Sequence, residues 1–311
     1  MRVCVVGCGA VGSLFAAHLA QLEEVEVWAY DLARDHVEAI NRDGLRLSGV
    51  GELVGRMTAT SEAAEIPRCD YGIVAVKSMH TDAALAATAG VFDDESAVCS
   101  VQNGIGNEET VAEHVRFVIR GTTFPAGHLI APGQVGWDTK GDSWIGPFEP
   151  SGTPMGKVEG LAELVTRAGM PTHALADARS AQWTKAIFNA ATNPVGALTG
   201  LAHGEVCDFE PTRRLVTQLC DEGKAVVAAL AIELDHDPEE MVDHAARVAH
   251  DHKASMTQDV EARRQTEIDF LNGAIVERGE EACVPAPLNR TMWALVKARE
   301  ESWRLPTPSS S

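Results

Sequence analysis

A doubly wound parallel α/β sheet followed by an all-helical domain is the fold that this 311-residue sequence predicts. Three observations carry it. The first half alternates short, wholly apolar runs with helical stretches, which implies parallel strands covered on both faces. Beyond about Ala176 the pattern becomes nearly continuous amphipathic helix. The spacing Gly7-x-Gly9-x-x-Gly12 falls between the first apolar run and the first helical stretch, which is the Rossmann arrangement of strand, turn and helix.

The predicted strands are "RVCVVG", "VEVWAYD", "YGIVAVK", "SAVCSVQN" and "RFVIRGTTF". Between them "VGSLFAAHLAQL", "ARDHVEAINRDG", "HTDAALAATAGVF" and "NEETVAEHVR" read as helices. Residues 146–157 are rich in Gly and Pro and read as a loop, with "VEGLAELVTRAGM" a further helix after it. The helical half comprises "RSAQWTKAIFNAAT", "TRRLVTQLCDEGKAVVAALAI", "DPEEMVDHAARVAHDHKASMTQDVEARRQ", "EIDFLNGAIVERG" and "APLNRTMWALVKAREESW". The expected domains are residues 1–175 and 176–303, with 304–311 a disordered tail.

Hydrophobic content of 45% and charged content of 23% suit a globular protein. A net charge of −19 argues against nonspecific binding to nucleic acid or an acidic membrane. The seven cysteines are scattered without a C-x-x-C pair, which fits reduced thiols better than disulfides or a metal site, and no metal is expected. No apolar stretch reaches about 18 residues and no cleavable leader is evident, so a cytoplasmic protein is expected.

The glycine turn predicts a dinucleotide site. Gly7 permits the tight turn, Gly9 admits the pyrophosphate, and Gly12 allows close helix packing, while Ala10 and Val11 open the helix whose N-terminus attracts the anion. Asp31 ends the second strand, where the fingerprint expects an acid that holds the ribose 2′-hydroxyl. A carboxylate there repels a 2′-phosphate and favours NAD over NADP. Asp31 also suits an N-cap of a helix beginning near Leu32, and Arg34 is placed to meet a phosphate or an adenine.

In the helical half, Lys185, Asn189 and Asn193 recur every four residues, which sets an amine and two carboxamides on one helix stripe about 5–6 Å apart. In a dry cleft such a lysine protonates a developing alkoxide while the amides fix the substrate; an exposed polar face has the same spacing. Pro194 is expected to distort or end this helix just beyond Asn193. Ser255 and Glu267 are twelve residues apart, about 18 Å along one straight helix, so they share a ligand only if the helix breaks between them. His244, His250 and His252 lack helical metal spacing and read as a solvated helix face.

Taken together, the N-terminal glycines, "VAVKSMH", "VQNGIGN", "WTKAIFNAATNPVGALTG" and "SMTQDVEARRQTEIDFLNG" resemble the ketopantoate reductase (2-dehydropantoate 2-reductase) family in order and over nearly the whole chain. The resemblance implies hydride transfer between a nicotinamide cofactor and a 2-oxo acid/2-hydroxy acid pair. It implies that Lys185 is the general acid, that Asn189 and Asn193 hold the substrate, and that Asn103 lies near both the cofactor ribose and the substrate. It also implies that Lys77 and the backbone of Gly127 line the cofactor site and that Ser255 binds the substrate carboxylate. Glu267 would contact the cofactor ribose or orient Lys185.

Two departures from the family pattern stand out. Members commonly carry a basic residue after the second strand and use NADPH, whereas this chain has Asp31. They also commonly carry a further substrate-contacting asparagine where this chain has His203, which reads as a substitute hydrogen-bonding group, a pH-sensitive contact or a loop residue. The expected cofactor is NAD, with NADP the family alternative. The expected partner is a small 2-oxo or 2-hydroxy acid, with no nucleic acid or membrane, and a homodimer in view. An NAD-dependent 2-hydroxy acid dehydrogenase acting on another substrate, and a non-catalytic NAD(P)-binding regulator, are the competing readings.

Overall fold

The computed structural model describes residues 1–304, so the expected tail from 304 lies outside the described residues beyond its first position. The chain forms two compact units: Met1–Gln102 with Gly106–Ala178, and Asn103–Ile105 with the chain from Arg179 onward. The division therefore falls at Ala178/Arg179 rather than 175/176, and the short Asn103–Ile105 segment belongs with the helical unit. That segment is anchored there by Ile105 N–H, which donates to the Phe270 carbonyl at 2.8 Å.

The first unit contains the strands β1 (Arg2–Val6), β2 (Glu26–Tyr30), β3 (Leu45–Gly49), β4 (Leu53–Gly55), β5 (Thr58–Thr60) and β6 (Tyr71–Val74). It continues with β7 (Ala97–Ser100), β8 (Phe117–Thr123), β9 (Ala126–Ala131), β10 (Gln134–Thr139), β11 (Ser143–Pro147) and β12 (Thr172–Ala174). Its helices are α1 (Ala10–Leu19), α2 (Arg34–Asp43), α3 (Thr81–Thr88), α4 (Asn107–Ala112) and α5 (Met155–Arg167). Among the described residues the main sheet has eight strands in the order β12-β11-β8-β7-β6-β1-β2-β5. From β5 to β8 it is parallel, as the apolar runs predict; β11 joins β8 antiparallel and makes the sheet mixed.

A second, four-stranded sheet in the order β4-β3-β10-β9 has no counterpart in the sequence reading. Its strands are short and part-exposed, so they lack the continuous apolar signal of buried strands. It explains why α1 is buried on nearly every side from Gly12 to Leu19: the helix packs on strands of both sheets. His18 of α1 meets Trp137 of β10 edge to face, with ring centroids 4.9 Å apart.

The second unit is helical: α6 (Arg179–Thr199), α7 (His203–Asp208), α8 (Glu210–Ala229), α9 (Pro238–Val248), α10 (Ser255–Glu261), α11 (Asn272–Glu281) and α12 (Pro287–Ser302). Helix α6 lies at its centre and packs on α8, α9, α10 and α12. Contrary to expectation, Pro194 neither ends nor interrupts α6, which runs on to Thr199. The carbonyl that Pro194 leaves without a helical donor, that of Ala190, instead accepts from Asn272 Nδ2 at 2.9 Å.

The long predicted helix around "HAARVAHDHKASM" is also two, α9 and α10. His250 and His252 lie in the connection, not on a helix face. There the His250 and His252 carbonyls accept the backbone N–H groups of Gly204 and His203 at the start of α7. His250 is paired with Asp208 and Asp251, whose carboxylates raise its pKa to about 9. Among the described residues no helix is long and apolar enough to cross a membrane.

Candidate active site and cofactor turn

In the first unit, β1 delivers the chain into the glycine turn. Gly7 has φ +91°, and a side chain there would collide with Val76, so both torsion and space demand glycine. Gly12 lies so close to the Gly7 carbonyl that any Cβ would overlap it, which locks α1 against the turn. Gly9, the N-cap of α1, is different: a Cβ there would meet nothing within 4 Å. The opening lies at a helix start with no acidic residue in its first turn, where Ala10 and Val11 carry N–H groups that helix geometry leaves unpaired. The turn thus fits a dinucleotide pyrophosphate.

Asp31 follows β2 and is tied to that turn. Its Oδ2 accepts Cys8 N–H at 2.8 Å and its Oδ1 accepts Ala33 N–H at 2.9 Å. The expectation of Asp31 as N-cap of a helix beginning near Leu32 is corrected accordingly: α2 starts at Arg34 with Ala33 as its N-cap, and Asp31 closes the turn before it. Arg34 lies on the surface, 3.8 Å from Glu62. Lys77 follows β6 as the N-cap of a short 3₁₀ turn at Ser78–His80. Gly127 lies in β9 against the Gly136 carbonyl of β10, a close strand approach that by itself requires glycine.

The second unit gathers most of the remaining candidates. Lys185 Nζ donates to Asn103 Oδ1 at 3.0 Å, and Asn103 Nδ2 donates to Glu267 Oε2 at 3.4 Å. Burial, partly offset by the Glu267 charge, lowers the Lys185 pKa from its usual 10.5 to about 8, although some of the side chain's surface stays accessible. A narrow recess beside this chain of contacts is lined by Asn103, Asn193, Ser255, Asp259 and Glu267, with Met256 and Leu271 as its apolar part. Asn189, a turn before Asn193 on α6, is buried.

Ser255 and Glu267 meet at this recess because the helix does break between them. Helix α10 ends at Glu261, and Arg263 takes the left-handed conformation at φ +51°. Arg264 N–H then returns to the Asp259 carbonyl at 2.8 Å, while its Nε donates to Asp259 Oδ1 at 3.0 Å. This buckle reverses the chain and leads Glu267 back toward the start of α10. Asp259 was not among the predicted site residues; the available signal was its position four after Ser255, on the same helix face. Asn272, which braces α6, was also missed, since nothing local marks a long-range hydrogen bond.

His203 does not line the recess. It opens α7 and is stacked between Phe188, at 5.8 Å, and His252, at 6.1 Å between centroids. Burial first, and the nearby His252 second, lower its pKa to about 4. A wider hollow lined by Met1, Arg2, Glu23, Glu24 and Asp70 lies at the amino ends of β1 and β2. Open α/β sheets bind ligands at the carboxyl ends of their strands, so this hollow is not the candidate site.

Comparison with known proteins agrees over both units. Residues 3–150 match the family model described as ketopantoate reductase PanE/ApbA, and residues 177–300 match its C-terminal model. The chain is 35% identical to 2-dehydropantoate 2-reductase of Archaeoglobus fulgidus, covering 96% of this chain and 98% of that protein. The corresponding enzyme of Pyrococcus horikoshii gives the same identity and coverage. Among solved structures, a PanE/ApbA family ketopantoate reductase from Ralstonia eutropha JMP134 superposes with TM-score 0.88 at 29% identity, covering 98% of this chain and all of that one. D-mandelate dehydrogenase, in a ternary structure with NADH and anilino(oxo)acetate, superposes with TM-score 0.89 at 25% identity and the same coverage.

Proposed function

The chain belongs to the ketopantoate reductase family, and we propose that it reduces the carbonyl of a 2-oxo acid to a 2-hydroxy acid with Lys185 as the proton donor. The observation that carries this reading is the Lys185–Asn103–Glu267 contact chain beside a polar recess, with the lysine pKa lowered to about 8. An ammonium of that pKa is an effective general acid near neutral pH, and its charge polarises the carbonyl before the proton moves. Asn189 and Asn193 supply amides to the polar groups of the substrate. The Ser255 hydroxyl, exposed at the start of α10, donates to the substrate carboxylate. Glu267 and Asn103 hold the amine and exclude other orientations.

The cofactor of this reading is a nicotinamide dinucleotide cradled by Gly7, Gly9 and Gly12, with Lys77 alongside. When bound, it supplies the hydride that completes the alcohol, or accepts it in the reverse direction. NAD is favoured over NADP because the Asp31 carboxylate, held by Cys8 and Ala33, puts negative charge where a 2′-phosphate would lie. The scattered cysteines of the sequence, with no C-x-x-C pair, suit a reducing, cytoplasmic setting.

A second substrate reading also has specific support. Asp31 and His203 both depart from the common family pattern, and the D-mandelate dehydrogenase structure pairs NADH with an aryl-substituted oxo acid analogue. A 2-oxo acid other than ketopantoate is therefore the alternative. Absorbance at 340 nm, with NADH and NADPH across ketopantoate and branched or aromatic 2-oxo acids, separates the two. The regulator reading wins if NADH binds and no acid is turned over.

A further inference from the structure

We propose that Asn272 is a positioning residue for this oxo-acid site, supplying the hydrogen bond that Pro194 denies to Ala190 and so holding the substrate amides of α6 against the Glu267 segment. This rests on the function proposed above.

An α-helical carbonyl accepts from the N–H four residues on. For Ala190 that residue is Pro194, which has no N–H and whose ring presses on the same carbonyl. A buried carbonyl left unpaired is costly, and a proline here would ordinarily kink the helix. Instead Asn272 Nδ2 donates to Ala190 O at 2.9 Å and, with its other proton, to Asn289 Oδ1 at 2.9 Å. Asn289 Nδ2 donates in turn to Glu222 Oε2 at 2.9 Å. The Glu222 carboxylate also accepts the backbone N–H groups of Leu288 and Asn289 at the start of α12. Asn272 and Asn289 are both 0% exposed, so their orientation is dictated by acceptors rather than by water.

The position of this bond gives it a role beyond packing. Ala190 lies between Asn189 and Asn193, on the turn that presents both amides. Asn272 follows Leu271, which lines the recess, and lies five residues after Glu267. One amide therefore ties the two walls of the recess together. Its own Oδ1 is buried with no partner among the described residues, a cost that a residue chosen only for packing would avoid. The proline keeps α6 from closing its ordinary ladder, and the asparagine replaces the missing donor from the opposite wall.

The test compares wild type, N272A, P194A and N272A/P194A, since P194A restores a backbone N–H at residue 194. Hydrogen exchange of peptides spanning 186–193 is measured together with kcat and KM for the preferred 2-oxo acid and Kd for NADH. N272A is expected to speed exchange and raise KM by about tenfold each, the scale of one unpaired buried group, with NADH affinity unchanged. P194A alone stays near wild type, and the double variant regains most of both losses. Unchanged exchange or KM in N272A overturns the proposal, as does an equal loss in N272A and the double variant. If N272A alone fails to fold, folding of the double variant supports the proposal and its failure to fold overturns it. A wild-type protein that reduces no 2-oxo acid sinks the proposed function instead, and the exchange cycle then still decides whether Asn272 holds this turn.

Discussion

Lys185 and Asn103, 82 positions apart in the chain, are joined by a 3.0 Å hydrogen bond from Nζ to Oδ1. The bond uses one of the three ammonium protons and sets the orientation of the amine. Asn103 also donates to Glu267, so one amide links the amine to a carboxylate whose charge acts on the lysine.

The lowered Lys185 pKa gives the reaction a signed pH dependence. With Lys185 as the proton donor proposed above, reduction would use the ammonium, so kcat/KM for the 2-oxo acid should be level below about pH 8 and fall about tenfold per unit above it. Oxidation of the 2-hydroxy acid needs the free amine and should rise through the same pH. Lys185→Ala should cut turnover by about 10² or more with NADH affinity nearly unchanged. Stability carries the same signature. Between about pH 8 and 10.5 the unfolded chain binds the proton more tightly, so wild-type stability should rise with pH across that window, and Lys185→Met should remove the rise. Urea midpoints at pH 7.5 and 10 measure it; parallel curves for the two proteins would count against the assigned pKa.

Asp31 should decide between the cofactors. Asp31→Ala removes the acceptor of Cys8 and Ala33 N–H as well as the negative charge. NADH binding should weaken by about tenfold to a hundredfold, the worth of a hydrogen bond to a charged group. The NADPH:NADH ratio of kcat/KM should rise, and an unchanged ratio would remove the case for NAD.

Arg263 stores strain in the reversal that brings Glu267 to the recess. A non-glycine residue at φ +51° costs about 1–2 kcal/mol, part of which glycine returns as entropy in the unfolded chain. Arg263 is exposed, so Arg263→Gly should stabilise the protein by about 0.5–1 kcal/mol without loss of activity. Calorimetry and the 340 nm assay test both halves; a lower melting temperature would show that the arginine side chain matters more than its torsion.

The sequence was most legible where chemistry and local pattern coincide. Gly7 and Gly12 announce themselves because strand, turn and helix are contiguous, and the parallel strands because burial on both faces leaves them apolar throughout. The stripe Lys185–Asn189–Asn193 follows from helical period alone. What escaped depends on distant partners. Pro194 reads as a helix breaker until Asn272, 78 residues on, is seen to replace its missing donor. The second sheet escaped because its strands are too short and exposed to show a period. Ser255 and Glu267 needed a helix break to meet, and a left-handed arginine, unlike a glycine, gives no warning of a chain reversal.

His203 tests the last of these long-range effects. It is stacked between Phe188 and His252, and burial among them holds its pKa near 4. The unfolded chain takes up that proton near pH 6.5, so stability should fall as pH drops from 6.5 toward 4, and His203→Asn should flatten that part of the curve. Urea midpoints at pH 7.5 and 5 give the comparison, and equal acid losses in the two proteins would refute it. The same variant bears on specificity, since it restores the residue type common in the family. A gain in kcat/KM for ketopantoate relative to aromatic 2-oxo acids would carry the stack into the substrate site. An unchanged ratio would leave His203 as the packing that seats α7 on α6.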